Sequence, residues 1–288
     1  MIKFWITGRD GKLATDLRYF FNKKEVKYVA THREVDLLSL DAILRYLDEH
    51  RPSHIINTAA YMHIDESEGE GRKRSYTVNG EIPRLLALAA KEKGCHLIHI
   101  STDYVFDGTK QTPYHENDPC HPIQVYGKSK YLGESQMLEV YPKALSLRVA
   151  CLYGSKSPNI ITNFIQEMRE KDAIEAIFDQ RRTPTYNLDV ARALLDLKNE
   201  SGVLHFVNRG DVSRYELALE VMRLCGKYHV GIRAKEIRPI SGRQAPFIAL
   251  RPVRSILSTE TVQKKLNWKI PSWEEALIRY FEECYDQW

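Results

Sequence analysis

"ITGRDGKLA", Ile6 to Ala14, is the stretch on which the fold of this chain turns. It closes a short apolar run, "IKFWIT" (Ile2 to Thr7), that reads as a buried strand. It opens into "LATDLRYFF", whose apolar residues recur at helical spacing. Gly8, Gly11 and Ala14 form a G-x-x-G-x-x-A pattern at that junction. Glycines there permit a tight turn and let a diphosphate approach backbone N–H groups, while the helix N-terminus favours negative charge. Ala14 keeps the third position small, as close helix–strand packing requires. Each glycine alone is only a turn residue. Together, on a first strand-to-helix turn, they predict dinucleotide binding.

The rest of the first half repeats the alternation. "VKYVAT" (Val26 to Thr31), "SHIINTAA" from Ser53, "CHLIHIST" (Cys95 to Thr102) and "ALSLRVA" (Ala144 to Ala150) read as further strands. Helical patterns lie between them, at Leu40 to Glu49, from about Arg72 to Lys93, and around Tyr126 and Lys130. This rhythm predicts an α/β fold, a doubly wound parallel sheet of the Rossmann type, with a smaller C-terminal lobe for substrate. The expected boundaries are residues 1–152 for the nucleotide-binding domain, with part of 183–210 returning to it, and mainly 153–288 for the second lobe. In that second part, helices are expected near Asn187, after an N-cap at Ser213 with Glu216 completing a capping box, and near Thr259 and Ser272. "GVLHFVN" reads as a short strand, and the proline- and arginine-rich Arg238 to Ser255 as a loop over a pocket.

The bulk properties bound the function. A net charge of +4 is too weak to argue for a nucleic-acid partner and suits an anionic small substrate equally well. The five cysteines are odd in number and widely spaced, which suggests neither a disulfide framework nor a zinc site, and no metal is expected. No apolar run approaches a membrane span, and the N-terminal residues enter a strand directly, so a cytoplasmic protein without membrane association is expected.

"STDYVFDG" (Ser101 to Gly108) and "YGKSK" (Tyr126 to Lys130) carry the chemistry. Tyr126 and Lys130, four apart, share a helix face, and Thr102 closes a strand whose C-terminal end borders the ligand crevice of such sheets. A phenol near an ammonium is an acid tuned towards neutral pH, suited to protonate an alkoxide as hydride reaches a carbonyl. Thr102 is placed to hydrogen-bond the same oxygen. A Y-x-x-x-K pair by itself is also an ordinary surface pair. Thr31, His32 and Arg33 end the second strand, where NAD sites usually carry an acid. Either this is a solvated basic turn, or Arg33 meets the 2′-phosphate of NADPH, with Asp36 and Leu37 flanking the adenine.

These segments, with "INTAAY", Asp65, Glu68, "YTVN" and "LRVACLYG" in order, resemble the dTDP-4-dehydrorhamnose reductase family of extended short-chain dehydrogenase/reductases. The looser "NFIQEM", "DQRRTPT" and "RPVRSIL" extend the resemblance over nearly the whole chain. It implies reduction of a 4-keto nucleotide sugar, dTDP-4-dehydro-6-deoxy-L-mannose to dTDP-L-rhamnose, with NADPH as coenzyme and NADH as the alternative. It implies that Thr102, Tyr126 and Lys130 are catalytic. Gly8, Gly11, Lys12, Leu13, Ala59, Ala60 and Tyr61 would line the coenzyme, and Asp103 would touch the sugar. Arg251 and Arg254 either meet the diphosphate or brace a structural loop. A homodimer is the candidate assembly. Three segments depart from the family pattern: Cys151 stands where a sugar-stacking tryptophan is usual, "DQRRTPT" adds Arg181 and Arg182, and "GEGRKR" replaces a more acidic stretch. They leave two other readings open. One is a coenzyme-binding regulator resembling the methionine adenosyltransferase β subunit; the other is a reductase or epimerase of another nucleotide sugar.

Overall fold

Six strands form one parallel sheet: β1 (Phe4–Thr7), β2 (Tyr28–Thr31), β3 (His54–Asn57), β4 (His96–Thr102), β5 (Leu145–Val149) and the strand Gly202–His205. Their spatial order is β2, β1, β3, β4, β5 and Gly202–His205, every pairing parallel. The structure, a computed structural model, describes residues 3–284, so Ile2 of the first expected strand lies outside them. From β1 the chain first steps to one side and then to the other. This reversal opens a crevice at the C-terminal ends of β1 and β3, where open α/β sheets bind ligands.

Both faces of the sheet are covered, which explains the near-continuous apolar strands. Phe4 and Ile6 face α1 (Lys12–Lys23), packing with Leu17 and Phe21, while Trp5 between them points the other way towards Ile43 and Leu47. The Asn187–Asp196 helix packs beside α1 through Val190 and Leu194. Burying each such side chain contributes about 1.5–3 kcal/mol. A second core gathers Phe164, Met168, Leu217, Val221, Leu277 and Phe281 from the Ile160–Glu170, Arg214–Lys227 and Trp273–Glu283 helices. Ser213 and Ser272 each form a complete capping box with Glu216 and Glu275.

Two expectations need correction. Arg238 to Ser255 is not all loop: Glu236–Ile240 pairs in parallel with Ala173–Ile177. The prolines hid this strand, but Pro239 is tolerated because the sheet has only two strands. The Arg72 to Lys93 helix contains a π turn at Thr77–Glu81. Pro83 lacks the N–H that would bond the carbonyl of residue 79, so the helix widens there. Asn79, displaced within that turn, braces the loop after β3: it accepts from the Tyr61 N–H at 2.8 Å and donates to the Tyr61 carbonyl at 3.0 Å.

Candidate active site

A cleft of about 730 Å³ opens above the C-terminal ends of β1, β3 and β4. It is lined by Gly8, Gly11, Lys12, Leu13, Arg33, Asp36, Leu37, Ala59 and Ala60 at one end, and by Thr102, Asp103, Tyr126, Lys130 and Cys151 at the other. Residues from Gly8 to Cys151 thus line one cleft. Two expected residues lie elsewhere. Tyr61 is buried beneath Arg74, whose guanidinium sits 5.3 Å from its ring centroid, so the side chain does not line the cleft. Arg251 lines a smaller neighbouring cavity. Sequence reasoning missed Thr58, Met62, Val78, Ile82 and Ser101 as lining residues, because their apolar or hydroxyl side chains carry no distinguishing spacing.

Gly8 has φ +71°, in the left-handed region, and a Cβ there would come within 2.9 Å of the Ala59 backbone. The turn therefore needs glycine twice over, for conformation and for close approach. Gly11 caps α1 with no side-chain hydrogen bond, so no side chain fills the space at that helix N-terminus. A cradle that a single Cβ would fill, beside an uncapped helix start, fits a dinucleotide diphosphate.

The end of β2 differs from the sequence reading. Arg33 is exposed and borders the cleft, but a carboxylate is present: Glu34 accepts the His32 N–H at 2.5 Å and pairs with Arg9 at 2.5 Å. Bonding by the His32 amide, seconded by Arg9, lowers the Glu34 carboxyl to about 2. Glu34 is not among the cleft-lining residues, so its charge is spent on Arg9 and Arg33 faces the cleft.

The chemistry end is held by unusually close packing. A Cβ at Gly127 would overlap the Tyr104 carbonyl, so glycine lets the Val125–Val140 helix press against the turn after β4. The same helix is fastened to β5 by a buried pair, Glu134 with Arg148, and Ser146 donates to Glu134 at 2.7 Å. Removing one partner of such a pair strands a buried charge. Tyr126 is only 7% exposed and meets Tyr104 edge-on, with ring centroids 5.9 Å apart. Burial, reinforced by the Asp103 carboxylate, raises the Tyr126 phenol, against hydrogen bonding from Thr102 that lowers it. Lys130, expected as the cation beside it, is held by other partners. Its Nζ lies 2.6 Å from the Ile100 carbonyl and 3.1 Å from His99 Nε2, and burial lowers it to about 7. In this structure Tyr126 is therefore a neutral proton donor and not a phenolate.

Asp103 is fully buried and its oxygens are engaged. Arg182 grips it at 2.7 and 2.9 Å, Ser255 donates at 2.5 Å, and Thr102 donates at 3.2 Å. Arg182 also stacks on Tyr104, 4.3 Å from its ring centroid. It stands on the wall between the cleft and a cavity of about 60 Å³ that holds Cys151, Arg214, Phe247 and Arg251. Arg251 pairs with Asp65 at 2.8 Å, and Asp65 also accepts the Ile248 and Ala249 amides, tying the loop after β3 to the far lobe. Cys151 adopts φ +45°, a conformation costly for any residue with a Cβ. Burial raises its thiol.

The family model described as the RmlD substrate binding domain matches residues 2–285. The chain belongs to this family of dTDP-4-dehydrorhamnose reductases. It is 30% identical to the dTDP-4-dehydrorhamnose reductase of Aggregatibacter actinomycetemcomitans, covering 98% of this chain and 100% of that one. It is 33% identical to a probable dTDP-4,6-dihydroxy-2-methyloxan-3-one 4-ketoreductase of Streptomyces antibioticus, covering 98% and 95%. The crystal structure of the dTDP-4-dehydrorhamnose reductase from Bacillus anthracis in complex with NADP matches with a TM-score of 0.92 at 30% identity, covering 98% of this chain and 100% of that one. That reductase thus shares nearly the whole fold of this chain. Among the described residues no group of three or more His, Cys, Asp or Glu is arranged to hold a metal, and no helix is long and apolar enough to cross a membrane.

Proposed function

We propose that this chain reduces a 4-keto nucleotide sugar with NADPH, most specifically dTDP-4-dehydro-6-deoxy-L-mannose to dTDP-L-rhamnose, NADH being the alternative coenzyme. One observation carries the reading: a buried, protonated Tyr126 shares a cleft wall with a glycine cradle shaped for a dinucleotide. When bound, the reduced nicotinamide supplies the hydride. Tyr126 donates its proton to the carbonyl oxygen as charge develops there, and the Thr102 hydroxyl, turning from Asp103, donates to the same oxygen. Lys130, one helical turn from Tyr126, binds on the coenzyme side. Gly8, Gly11 and the first turn of α1 hold the diphosphate, and Leu37 packs beside the adenine. Asp103 is assigned a positioning role, through Arg182 and Thr102, in place of a direct grip on the sugar. Arg182, Arg214 and Arg251 converge on the small cavity and suit the diphosphate of the sugar nucleotide. This reading divides the chain at about residue 152, with part of 183–210 returning to the coenzyme domain.

Mixing purified protein, NADPH and dTDP-4-dehydro-6-deoxy-L-mannose tests it. Coenzyme absorbance at 340 nm should fall in step with formation of dTDP-L-rhamnose. No loss of absorbance, with coenzyme still bound, refutes this substrate and leaves the regulator or an enzyme of another nucleotide sugar.

Arg33 supplies a coenzyme preference. A charge-assisted bond to the 2′-phosphate contributes roughly 1.5–3 kcal/mol, or about ten- to a hundredfold in affinity, the exposed position favouring the lower figure. Arg33→Ala is expected to remove most of the NADPH preference and leave NADH binding nearly unchanged. Calorimetric titration of both coenzymes into both proteins checks this, and equal affinities in the native protein would mean that Arg33 only meets solvent.

Cys151 supplies the second departure. From the sequence alone, a tryptophan there is expected to restore a stacking platform and tighten sugar binding. The opposite is expected in the folded chain: Cys151 sits at φ +45°, a conformation that bulky side chains rarely adopt, beside Arg182 and Tyr104. The flat guanidinium of Arg182, stacked on Tyr104, stands on the neighbouring wall instead. Cys151→Trp should therefore raise KM for the dTDP sugar by about tenfold, the equivalent of overpacking by roughly 1–3 kcal/mol. A lowered KM would show that the aromatic platform is simply missing.

A further inference from the structure

A line of buried polar groups crosses the sheet beneath the cleft. Thr7, Asn57 and His99 are in register on β1, β3 and β4, and the line ends at Lys130. Their donors and acceptors can be assigned without freedom. The Ala59 backbone N–H is a fixed donor, 3.2 Å from Asn57 Oδ1, and the Thr7 hydroxyl donates to that oxygen at 2.7 Å. The other end of the Asn57 amide, Nδ2, is therefore the donor to His99 Nδ1 at 2.9 Å. A histidine that accepts at Nδ1 carries its proton on Nε2. That N–H points at Lys130 Nζ across 3.1 Å. An ammonium there would set two donors against each other. A free amine satisfies both groups: its lone pair accepts from His99, and one of its N–H groups donates to the Ile100 carbonyl at 2.6 Å.

We infer that His99, locked in its Nε2–H tautomer by Asn57, is a positioning residue that holds the side chain of Lys130 as an uncharged amine at the cleft wall. The other groups around the amine do not do this. Glu134, one turn along the same helix, favours the ammonium, but its charge is committed to Arg148 on β5. Tyr126, one turn before, is neutral. His99 itself is fully buried and cannot afford a proton of its own, so it does not relieve the conflict by changing charge. The inference deepens the role assigned to Lys130 above, but the amine can be read whether or not the protein reduces a sugar.

The experiment is NMR on the full-length, coenzyme-free protein labelled with [13C]lysine and [15N]histidine. The Lys130 ε-carbon is identified by its loss in Lys130→Met. In the native protein it should titrate near pH 7, and His99 should show the Nε2–H tautomer at pH 8. His99→Leu removes the donor and should move the Lys130 midpoint up by about one pH unit, the worth of one hydrogen bond to the amine form. His99→Gln, whose amide N–H falls near the lost Nε2–H, should return it to within a few tenths of the native value. A native midpoint near 10, an Nδ1–H tautomer, or a His99→Leu midpoint equal to the native one would each overturn the inference. So would a His99→Gln midpoint as high as that of His99→Leu. The tautomer is read on the native protein, so the test survives a variant that fails to fold.

Discussion

Tyr126→Phe should lower turnover by about 100- to 10,000-fold while leaving folding and coenzyme affinity intact. The ring packs edge-on against Tyr104 and fills a nearly closed site, and Phe keeps both features. Only the hydroxyl is lost, and with it the proton for the new sugar hydroxyl. Because burial and Asp103 hold the phenol protonated, the native rate should not gain from a phenolate as pH rises towards 9. Steady-state kinetics with a coenzyme titration alongside check both statements. Near-native turnover in the Phe variant would remove Tyr126 from the chemistry.

Lys130→Met should cost roughly 100-fold in kcat/KM, because a polar group at the cleft wall is lost where Tyr126 works. Its distinctive signature is in stability. The folded-state value of Lys130 is about 7, well below the 10.5 of an unfolded lysine. Between those two values the unfolded chain holds a proton that the folded chain does not. Native stability from this group therefore rises with pH across that window and is lowest below about pH 7. Met carries no proton in either state, so this rise should be missing from the variant. Melting curves of the two proteins from pH 6 to 10 check it. If the difference between them does not change with pH, Lys130 is an ordinary ammonium.

Much of this was legible because local signals and global fold agree. The G-x-x-G-x-x-A turn, the strand-end Ser101–Thr102 and the Tyr126/Lys130 spacing each place a side chain at the same ends of the same sheet. Alternation of Phe4, Trp5 and Ile6 reads as apolar throughout because both sheet faces are covered. What stayed hidden depends on distance in sequence. Lys130 pairs with His99 from another element, and no spacing rule marks that contact. Arg182 reaches Asp103 across 79 residues, turning an expected sugar contact into an ion pair. Glu34 escapes strand-end rules because they count one or two positions, and the turn brings the third back onto Arg9. Pro239 disguised a strand because proline is read as a breaker unless the edge is known to be free.

The most direct test of the central claim follows the hydride. NADPH carrying deuterium at the transferable position of nicotinamide C4 is mixed with dTDP-4-dehydro-6-deoxy-L-mannose and the purified protein, and the sugar is analysed by NMR and mass spectrometry. One deuterium at sugar C4 in dTDP-L-rhamnose is the predicted result. Sugar recovered without deuterium, from protein that still binds the coenzyme, would contradict the account.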